Sequence, residues 1–258
     1  MSGSALFEST GPGPVTVSAL EFDVLTEHLG VELVPLVLKV PSPGRTDVER
    51  SRLVRQAWSG LAERGLGGPM DVDPELVRLL HLLDRPSREI DGRVWTAPDH
   101  AQRIFAAARD SEAVLAVLQG NSLTLQAADE SGLARHAVSV LPRRGPGPGR
   151  SVTMPANDFA TAATAPGPLD RALSTHGVRA DDARAVAEMI TPLTARGQFG
   201  AATRDRWGRR VRNPRVISWF DTEAGRYLQV RTPPPDPWTT ISPADPRALL
   251  HQVAALLD

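Results

Sequence analysis

The sequence predicts an α+β fold in which a central antiparallel β-sheet is flanked by helical bundles and two equivalent halves are related by a pseudo-twofold axis. The stretch "VTVSALEF" (Val15–Phe22) returns as "VTMPANDF" (Val152–Phe159), 137 positions later (152 − 15). The closing stretches "LTLQAADESGLARHAVSVLP" and "WTTISPADPRALLHQVAALL" also align, at one offset of 115 (238 − 123). Because the similar stretches occur in the same order in both halves, they predict a duplicated unit and one continuous sheet.

The first half opens with a short strand and helical patterns. Val15–Ser18 alternates as a strand, and a helix over about Ala19–Leu29 ends at Gly30. A second helix begins at "TDVE", where Thr46 can cap while Glu49 reaches back, as in a capping box. Its apolar stripe recurs at helical spacing and stops at Gly65. The residues of this stripe are Leu53, Ala57 and Leu61, flanked by Val54 and Trp58.

A third helix and a four-strand meander complete this half. Asp73 can cap the helix, with Pro74 in its first turn. It is expected to bury Leu76, Leu79, Leu80 and Leu83. After this helix the apolar residues recur with the spacing of strands, and "RDSE" and "QGNS" are expected to form tight turns between them. The strands are expected at about Arg88–Trp95, Arg103–Arg109, Glu112–Leu118 and Ser122–Ala127, followed by a helix in "ESGLARHAVSVLP".

The same order restarts after "RRGPGPGR", residues 143–150, which has the composition of a linker. We therefore expect one domain over residues 1–258, composed of an N-terminal half (15–142) and a C-terminal half (151–258). A strand and a helix lie in "SVTMPANDFATAA". Helices at about Leu169–Ser174 and Ala180–Ile190 precede strands at about Gly197–Arg204, Arg215–Asp221, Arg226–Arg231 and Trp238–Ile241, and the last helix is capped by Asp245-Pro246.

The composition is that of an ordinary globular protein. Hydrophobic residues make up 41% and charged residues 23%, which argues against disorder, and a net charge of −1 gives no global attraction to nucleic acid or anionic membranes. The abundance of Ala, Arg, Pro and Gly, with Lys39 as the only lysine, points to a GC-rich genome such as that of an actinobacterium. The start of the chain has no signal-peptide pattern, and "VELVPLVLKV" is too short to span a bilayer. We expect a cytoplasmic protein that does not bind membranes.

The sequence gives little support to an enzyme. There is no cysteine, and the six histidines are scattered without metal-ligand spacing, so neither a metal nor a cofactor is expected. His136 and His251 fall at equivalent points of two helices and are expected to be packing or rim residues. "GPGPGRS" resembles a phosphate-binding loop only superficially, since Pro146 and Pro148 lack N–H groups and Arg150 stands where that motif needs lysine. No nucleophile signature is present.

The strongest local charge feature is "RDRWGRRVRNPR", Arg204–Arg215. Six arginines around Trp207 are compatible with nucleic-acid binding through phosphate contacts and stacking. The simpler interpretation is a long hairpin turned at Trp207-Gly208, whose arginines are solvated and oppose edge pairing. Arginine and tryptophan are also favoured anchors of protein interfaces, so an acidic protein surface is a further possible partner.

Several stretches, taken together, resemble the EspG family of ESX (type VII) secretion-associated proteins. The resemblance extends from about Val15 to Leu257. It is carried by "VPSPGRTDVERSRL" (Val40–Leu53), "DPELVRLLHLL" (Asp73–Leu83), "RGQFGAATRDRWGRR" (Arg196–Arg210), "SWFDTEAGRYL" (Ser218–Leu228) and "WTTISPADPRALL" (Trp238–Leu250).

This resemblance implies a non-enzymatic cytosolic chaperone or adaptor with a quasi-twofold fold. In mycobacteria the family binds PE–PPE heterodimers and grips the apolar tip of the PPE helical bundle, which keeps the substrate soluble and directs it to its secretion system. The expected partner is therefore a helical secreted protein or a PE–PPE-like heterodimer. The free protein is expected to be a monomer or a weak dimer.

The resemblance also implies a set of partner-binding residues. The predicted loop "WTAPDHAQ" (Trp95–Gln102) corresponds in order to a mobile partner-facing loop of the family. The second meander contributes residues from its first two strands. The candidates are Trp95, Asp99, His100, Arg103, Arg196, Gln198, Arg204 and Trp219. For Trp95 and Trp219 the alternative is core packing, and for Asp99 and His100 it is a solvated loop.

Two other classes of function stay open at this point. One is a nucleic-acid-associated accessory protein that uses the Arg204–Arg215 hairpin. The other is a hydrolase acting in the groove between the halves, although no nucleophile and base pair is visible in the sequence. Salt separates the first of these from a chaperone, because phosphate contacts weaken steeply as salt rises.

Overall fold

A computed structural model describes residues 13–97 and 100–258 of the chain. The strands are β1 (Val15–Ser18), β2 (Arg88–Ala97), β3 (His100–Arg109), β4 (Glu112–Gln119), β5 (Ser122–Asp129), β6 (Val152–Pro155), β7 (Ala195–Arg204), β8 (Arg210–Arg212), β9 (Ile217–Thr222), β10 (Gly225–Arg231) and β11 (Trp238–Pro243). The α-helices are α1 (Ala19–His28), α2 (Asp47–Glu63), α3 (Pro74–His81), α4 (Leu133–Ser139), α5 (Ala156–Thr164), α6 (Leu169–Thr175), α7 (Ala180–Ile190) and α8 (Pro246–Ala254). Two 3₁₀ turns occupy Leu36–Leu38 and Glu130–Gly132.

All of these strands form one antiparallel sheet, in the order β1-β5-β4-β3-β2-β7-β9-β10-β11-β6, with β8 added beside β7. The two meanders meet at the centre, where β2 pairs with β7 from Arg88↔Thr203 to Trp95↔Arg196. Outwards from this junction the strands follow equivalent orders, β2-β3-β4-β5-β1 and β7-β9-β10-β11-β6. The α+β class and the continuous antiparallel sheet predicted from the sequence are confirmed.

Helices cover the two faces of the sheet differently. On one face, α4 and α8 pack over the central strands and bury one apolar cluster against Ile104, Phe199 and Trp219. On the opposite face, α1, α2 and α3 cover strands β3 to β5, and α5, α6 and α7 cover strands β9 to β11 with β6. Between these two bundles the middle of the opposite face, on β2 and β7, presents exposed side chains.

Local signals in the sequence explain where α1, α2, α3 and α8 begin. The N-caps at Thr46, Asp73 and Asp245 are confirmed, since each side chain accepts from the backbone N–H three residues later. The capping box expected at Thr46 is only half formed, because the Glu49 carboxylate accepts from the N–H of Arg45 instead. A full capping box occurs at Ser18, at the start of α1.

The segment 143–150 is held against the sheet, which the linker interpretation did not anticipate. The N–H of Arg226 donates to the carbonyl of Gly145 (2.8 Å), and Pro146 forms a bridge with Arg226 at the start of β10. The hydroxyl of Tyr227 donates to the carbonyl of Pro148 (3.0 Å). Apart from the Tyr227 hydroxyl, these contacts are made by backbone groups, which composition does not reveal.

Two predicted connections are wrong in detail. The stretch Trp95–Gln102 is mostly strand rather than loop, because β2 continues to Ala97 and β3 begins at His100. The expected hairpin tip after β7 contains the additional strand β8, which pairs with Ala202–Arg204. Backbone pairing with a neighbouring strand extends both segments, and local sequence does not reveal it.

In the part of the chain that the structure describes, no helix combines the length and the apolar character needed to cross a lipid bilayer.

Candidate functional site

The candidate site is an open groove in the middle of the sheet, between the two helical bundles. We call it the central trough. Its floor is β2 and β7, and β3 lies beside it. The side chains of the trough belong to Glu89, Asp91, Arg93, Trp95, Arg103, Arg196 and Gln198, with Gly200 at the centre.

Strand alternation places these residues together. Successive side chains of a strand point to opposite faces, so every second residue of β2 lies in the trough. The register then aligns one row of Arg103, Arg93 and Gln198 and a second row of Trp95 with Arg196. Residues between them, such as Val94, point into the core on the other face. The trough is therefore set by the register of three strands from both halves.

One end of the trough is a network of paired charges. Arg210 reaches from β8 to Glu89, with Nε–Oε1 and Nη2–Oε1 distances of 2.9 and 2.5 Å. Arg212 pairs with Asp91, and this hydrogen bond is the main reason that the pKa of Arg212 is raised. Gly200 makes room for Arg212, because a Cβ there would lie 2.2 Å from its Nη2. Glu89 is only 6% exposed, so its pairing is required for stability.

The other end of the trough is basic. Arg93 and Arg103 lie directly opposite each other on β2 and β3. Arg103 donates from Nη1 to the carbonyl of Lys39 (2.9 Å), and its pKa is lowered, first by burial and then by the charge of Arg93. The guanidinium of Arg196 lies 5.6 Å from the ring centre of Trp95, a cation–π geometry.

An apolar ridge borders the trough on the side of β3. It consists of the segment 31–41, which carries Leu33 (53% exposed) and Leu36 (83% exposed). Between this ridge and β8 lies a cleft of about 430 Å³, with Glu89 and Asp91 on its wall. In the sequence this segment was interpreted as an apolar run too short to span a bilayer, and its place in a surface was not predicted. Its two exposed leucines were the signal that was available.

The structure brings four of the eight candidate residues together in the trough: Trp95, Arg103, Arg196 and Gln198. Arg204 lies at the end of β7, where Nε donates to the carbonyl of Pro86 (3.0 Å) and Nη1 to that of Gly208 (2.7 Å). These bonds fix the base of the β7–β8 hairpin.

The remaining three candidates have other placements. Trp219 is fully buried and points to the face covered by α4 and α8, so its place in a partner-binding surface is corrected to core packing. Its ring supports the guanidinium of Arg226 at 4.7 Å. Asp99 lies outside the described residues. His100 is described only as the first residue of β3.

Several arginines of the Arg204–Arg215 hairpin are held by carboxylates, although residues 206–212 are exposed. Asp205 organises its turn by accepting from the N–H groups of Trp207 and Arg209, each at 2.9 Å, and from Arg209 Nε. Arg210 and Arg212 are engaged with acids of the trough. At the tip, Trp207 is 64% exposed, and the guanidinium carbons of Arg206 and Arg209 lie 4.0 and 5.0 Å from its ring centre. Three of the six arginines of the hairpin, Arg209, Arg210 and Arg212, are therefore already paired with carboxylates within the fold.

His136 is a rim residue held by a neighbouring carboxylate, as the sequence predicted. On α4, His136 Nε2 lies 2.9 Å from Asp129 Oδ2. The hydrogen bond to His136 is the largest influence that holds the pKa of Asp129 far below its usual value, followed by a bond from Ser131 and the charge of Arg135. Within residues 13–97 and 100–258 no group of three or more His, Asp or Glu side chains has a geometry suited to a metal ion.

The fold and the trough define a class of protein: an α+β scaffold whose sheet is open at its centre and covered by helices elsewhere. The family model that describes EspG proteins matches residues 18–255. The chain therefore belongs to the EspG family, as the resemblance in the sequence indicated.

One solved structure shows how similar the fold is. It is that of the Mycobacterium tuberculosis type VII secretion system chaperone EspG5 in complex with the PE25-PPE41 dimer. The match has a TM-score of 0.72 and 19% sequence identity, and it covers 95% of this chain and 96% of that one. No curated protein sequence matches the chain. At this level of identity the structural match concerns the fold.

Proposed function

We propose that this protein is a cytosolic chaperone or adaptor of type VII (ESX) secretion that binds a helical client, such as a PE–PPE-like heterodimer, and has no catalytic role. The client docks its apolar tip in the central trough, which keeps it soluble until it is handed to its secretion system. The observation that carries this proposal is the open, side-chain-rich centre of a sheet that is covered by helices everywhere else, in a chain of the EspG family.

The surroundings of the trough suit a protein partner. Trp95 and Arg196 form an aromatic and arginine pair of the kind enriched at interfaces. Leu33 and Leu36 add apolar area at the other end of the trough, where they line the cleft together with Arg93. The similar fold of EspG5, solved in complex with a PE–PPE dimer, supports the same class of client.

A preformed binding surface explains how such a chaperone acts without catalysing a reaction. An exposed apolar helical tip promotes aggregation, and binding it shifts the equilibrium towards the soluble complex by mass action. The client has to be released later, so we expect an interface of moderate area and affinity.

We also propose that residues 15–142 and 151–258 are duplicated halves of one domain. Their strands follow equivalent orders from the centre of the sheet to its edges, and each half adds helices on both faces. Such an arrangement places the junction of the halves, β2 and β7, at the bottom of the trough.

The test is reconstitution with a purified client. Helical secreted proteins encoded beside secretion genes of the native genome are expressed with and without this chain. We expect a defined complex by size-exclusion chromatography with light scattering, and a larger soluble fraction of the client. Recovery of nucleic acid alone, or a client that is equally soluble without the chain, contradicts the proposal.

A pair of variants links binding to the trough. Trp95→Ala removes the aromatic group of the basic end and should weaken the complex without unfolding the protein, because Trp95 is only half-buried. The control Arg184→Glu changes an exposed charge on α7, which packs against β6 and β9 and not against β2, and should leave binding unchanged. Equal loss in both variants would indicate that binding does not involve the trough.

A further inference from the structure

The basic end of the trough brings like charges together. Arg93 and Arg103 are cross-strand neighbours, and like charges directly opposite each other destabilise a sheet. Arg196 lies on the next strand, one row away. Three guanidinium groups thus gather on adjacent strands at the centre of the molecule.

At the opposite end of the trough, the arginine charges are compensated by carboxylates. There Arg210 is matched by Glu89, and Arg212 by Asp91, each within hydrogen-bond reach. Among the described residues, by contrast, no carboxylate lies within 4.0 Å of a guanidinium nitrogen of Arg93, Arg103 or Arg196. Within the described residues, the sheet therefore pairs the arginines of one end with carboxylates and leaves Arg93, Arg103 and Arg196 at the other end without one.

Burial adds to the cost of this arrangement. The side chain of Arg103 is half-buried beside the apolar ridge, and its N–H groups find a backbone carbonyl, that of Lys39, instead of an anion. Arg93 and Arg196 are exposed and open to a partner. Local arrangements that disfavour folding are expected at functional sites, where a ligand supplies the missing interaction.

We propose that the basic end of the trough binds carboxylate side chains, aspartate or glutamate, at the tip of the helical client. Arg93 and Arg103 grip a carboxylate from two sides, Arg196 lies within reach of a second one, and the ridge at Leu33 and Leu36 receives the neighbouring apolar residues. This inference rests on the proposed function and names the chemistry of its partner: an acidic group within an apolar tip.

Arginine suits this role better than lysine. Its planar guanidinium presents N–H groups in a fixed fork that matches a carboxylate with two parallel hydrogen bonds. Two such forks on neighbouring strands give directional selectivity, so a client tip with glutamine in place of glutamate binds less well. Selectivity among clients then depends on charge as well as on apolar area.

The test uses two synthetic helical-hairpin peptides as probes. They are identical, with leucines at the tip, except that one carries two glutamates there and the other two glutamines. Wild-type protein should bind the glutamate peptide about tenfold or more tightly, the effect of one or two charge-assisted hydrogen bonds. Arg93→Gln and Arg103→Gln should each reduce this preference, whereas the control Arg184→Gln should keep it. The measurement is fluorescence anisotropy at several salt concentrations.

A second measurement separates a binding role from a structural one. Because Arg93 lies opposite a like charge, the Arg93→Gln variant without a client should unfold at the same temperature as the wild type or at a higher one. Arg212→Gln, which deprives Asp91 of its partner, should unfold at a lower temperature. A clear loss of stability in Arg93→Gln would show that this arginine is needed by the fold and would overturn the inference.

The outcomes distinguish this inference from the proposed function. Equal affinity of the wild type for the two peptides, or no binding of either, overturns the carboxylate assignment. Whether the protein forms a complex with a purified full-length client is measured separately and tests the proposed function. If that complex forms and is unaffected by Arg93→Gln and Arg103→Gln, the proposed function stands and the carboxylate site does not.

Discussion

The ion pair between Arg226 and Asp221 gives the sharpest stability prediction. Both side chains are 2% exposed, and the guanidinium donates to both carboxylate oxygens, at 2.7 and 2.8 Å. It also donates to the carbonyl of Pro142 and stacks on Trp219. In Asp221→Asn the shape is kept but the negative charge is lost. The buried guanidinium is then left without a counter-charge.

The expected magnitude follows from this burial. Removing one partner of a buried ion pair costs about 3–5 kcal/mol of unfolding free energy. For a protein of this size, 1 kcal/mol corresponds to about 2–4 °C, so we expect the Tm to fall by about 6–20 °C. The matched control is Asp181→Asn, in the exposed pair with Arg184 on α7, which should cost less than about 0.5 kcal/mol.

Thermal and urea unfolding followed by circular dichroism measure both variants. The urea midpoint should fall with an unchanged slope if the folded state is otherwise intact. A change of less than about 1 kcal/mol in Asp221→Asn would show that water or a neighbouring group replaces the carboxylate, and would refute the argument from burial.

Three further predictions concern the segment 143–150, the dependence of stability on acidic pH and the tip of the β7–β8 hairpin. Gly147→Ala places a Cβ 2.1 Å from the hydroxyl of buried Tyr227. We expect this clash to lower the free energy of unfolding by about 1–3 kcal/mol, as measured by urea unfolding. An unchanged urea midpoint would show that the segment 143–150 is not held as described. Because the pKa of Asp129 is lower in the folded state than its ordinary value of 3.8, its contribution to stability is present above pH 3.8 and is lost as the pH falls further. The Tm difference between wild type and Asp129→Asn should therefore narrow below that pH; a constant difference from pH 6 to pH 2.5 would contradict this. Trp207→Ala, at the exposed tip, should change stability by less than about 0.5 kcal/mol and leave client binding intact, as checked by Tm and by chromatography of the complex; loss of the complex would place the partner on the hairpin.

Much of the fold was predictable because its signals are local. Caps at Thr46, Asp73 and Asp245 mark three helix starts, and strand alternation marks both meanders. The order of the repeats gave the continuous sheet. Strand β8 and the pinned segment 143–150 were not predictable, because both depend on backbone pairing with residues distant in sequence.

The site was predictable in composition but less so in geometry. Trp95 and Arg196 were expected near a partner, and the β2–β7 register brings them together. The position of Trp219 on the buried face depends on which face of β9 is covered, and alternation alone does not decide that. Pairing of Arg210 and Arg212 with acids of β2 joins residues 121 positions apart, which no local pattern reveals.

The most direct test of the central claim is site-specific photo-crosslinking within the client complex. A photoreactive amino acid replaces Gln198, which is exposed on the floor of the trough, or Ser139, which is exposed on α4 across the sheet. We expect the probe at position 198 to crosslink to the client and the probe at position 139 to give none. Crosslinking from position 139 alone would place the client on the opposite face and contradict the account.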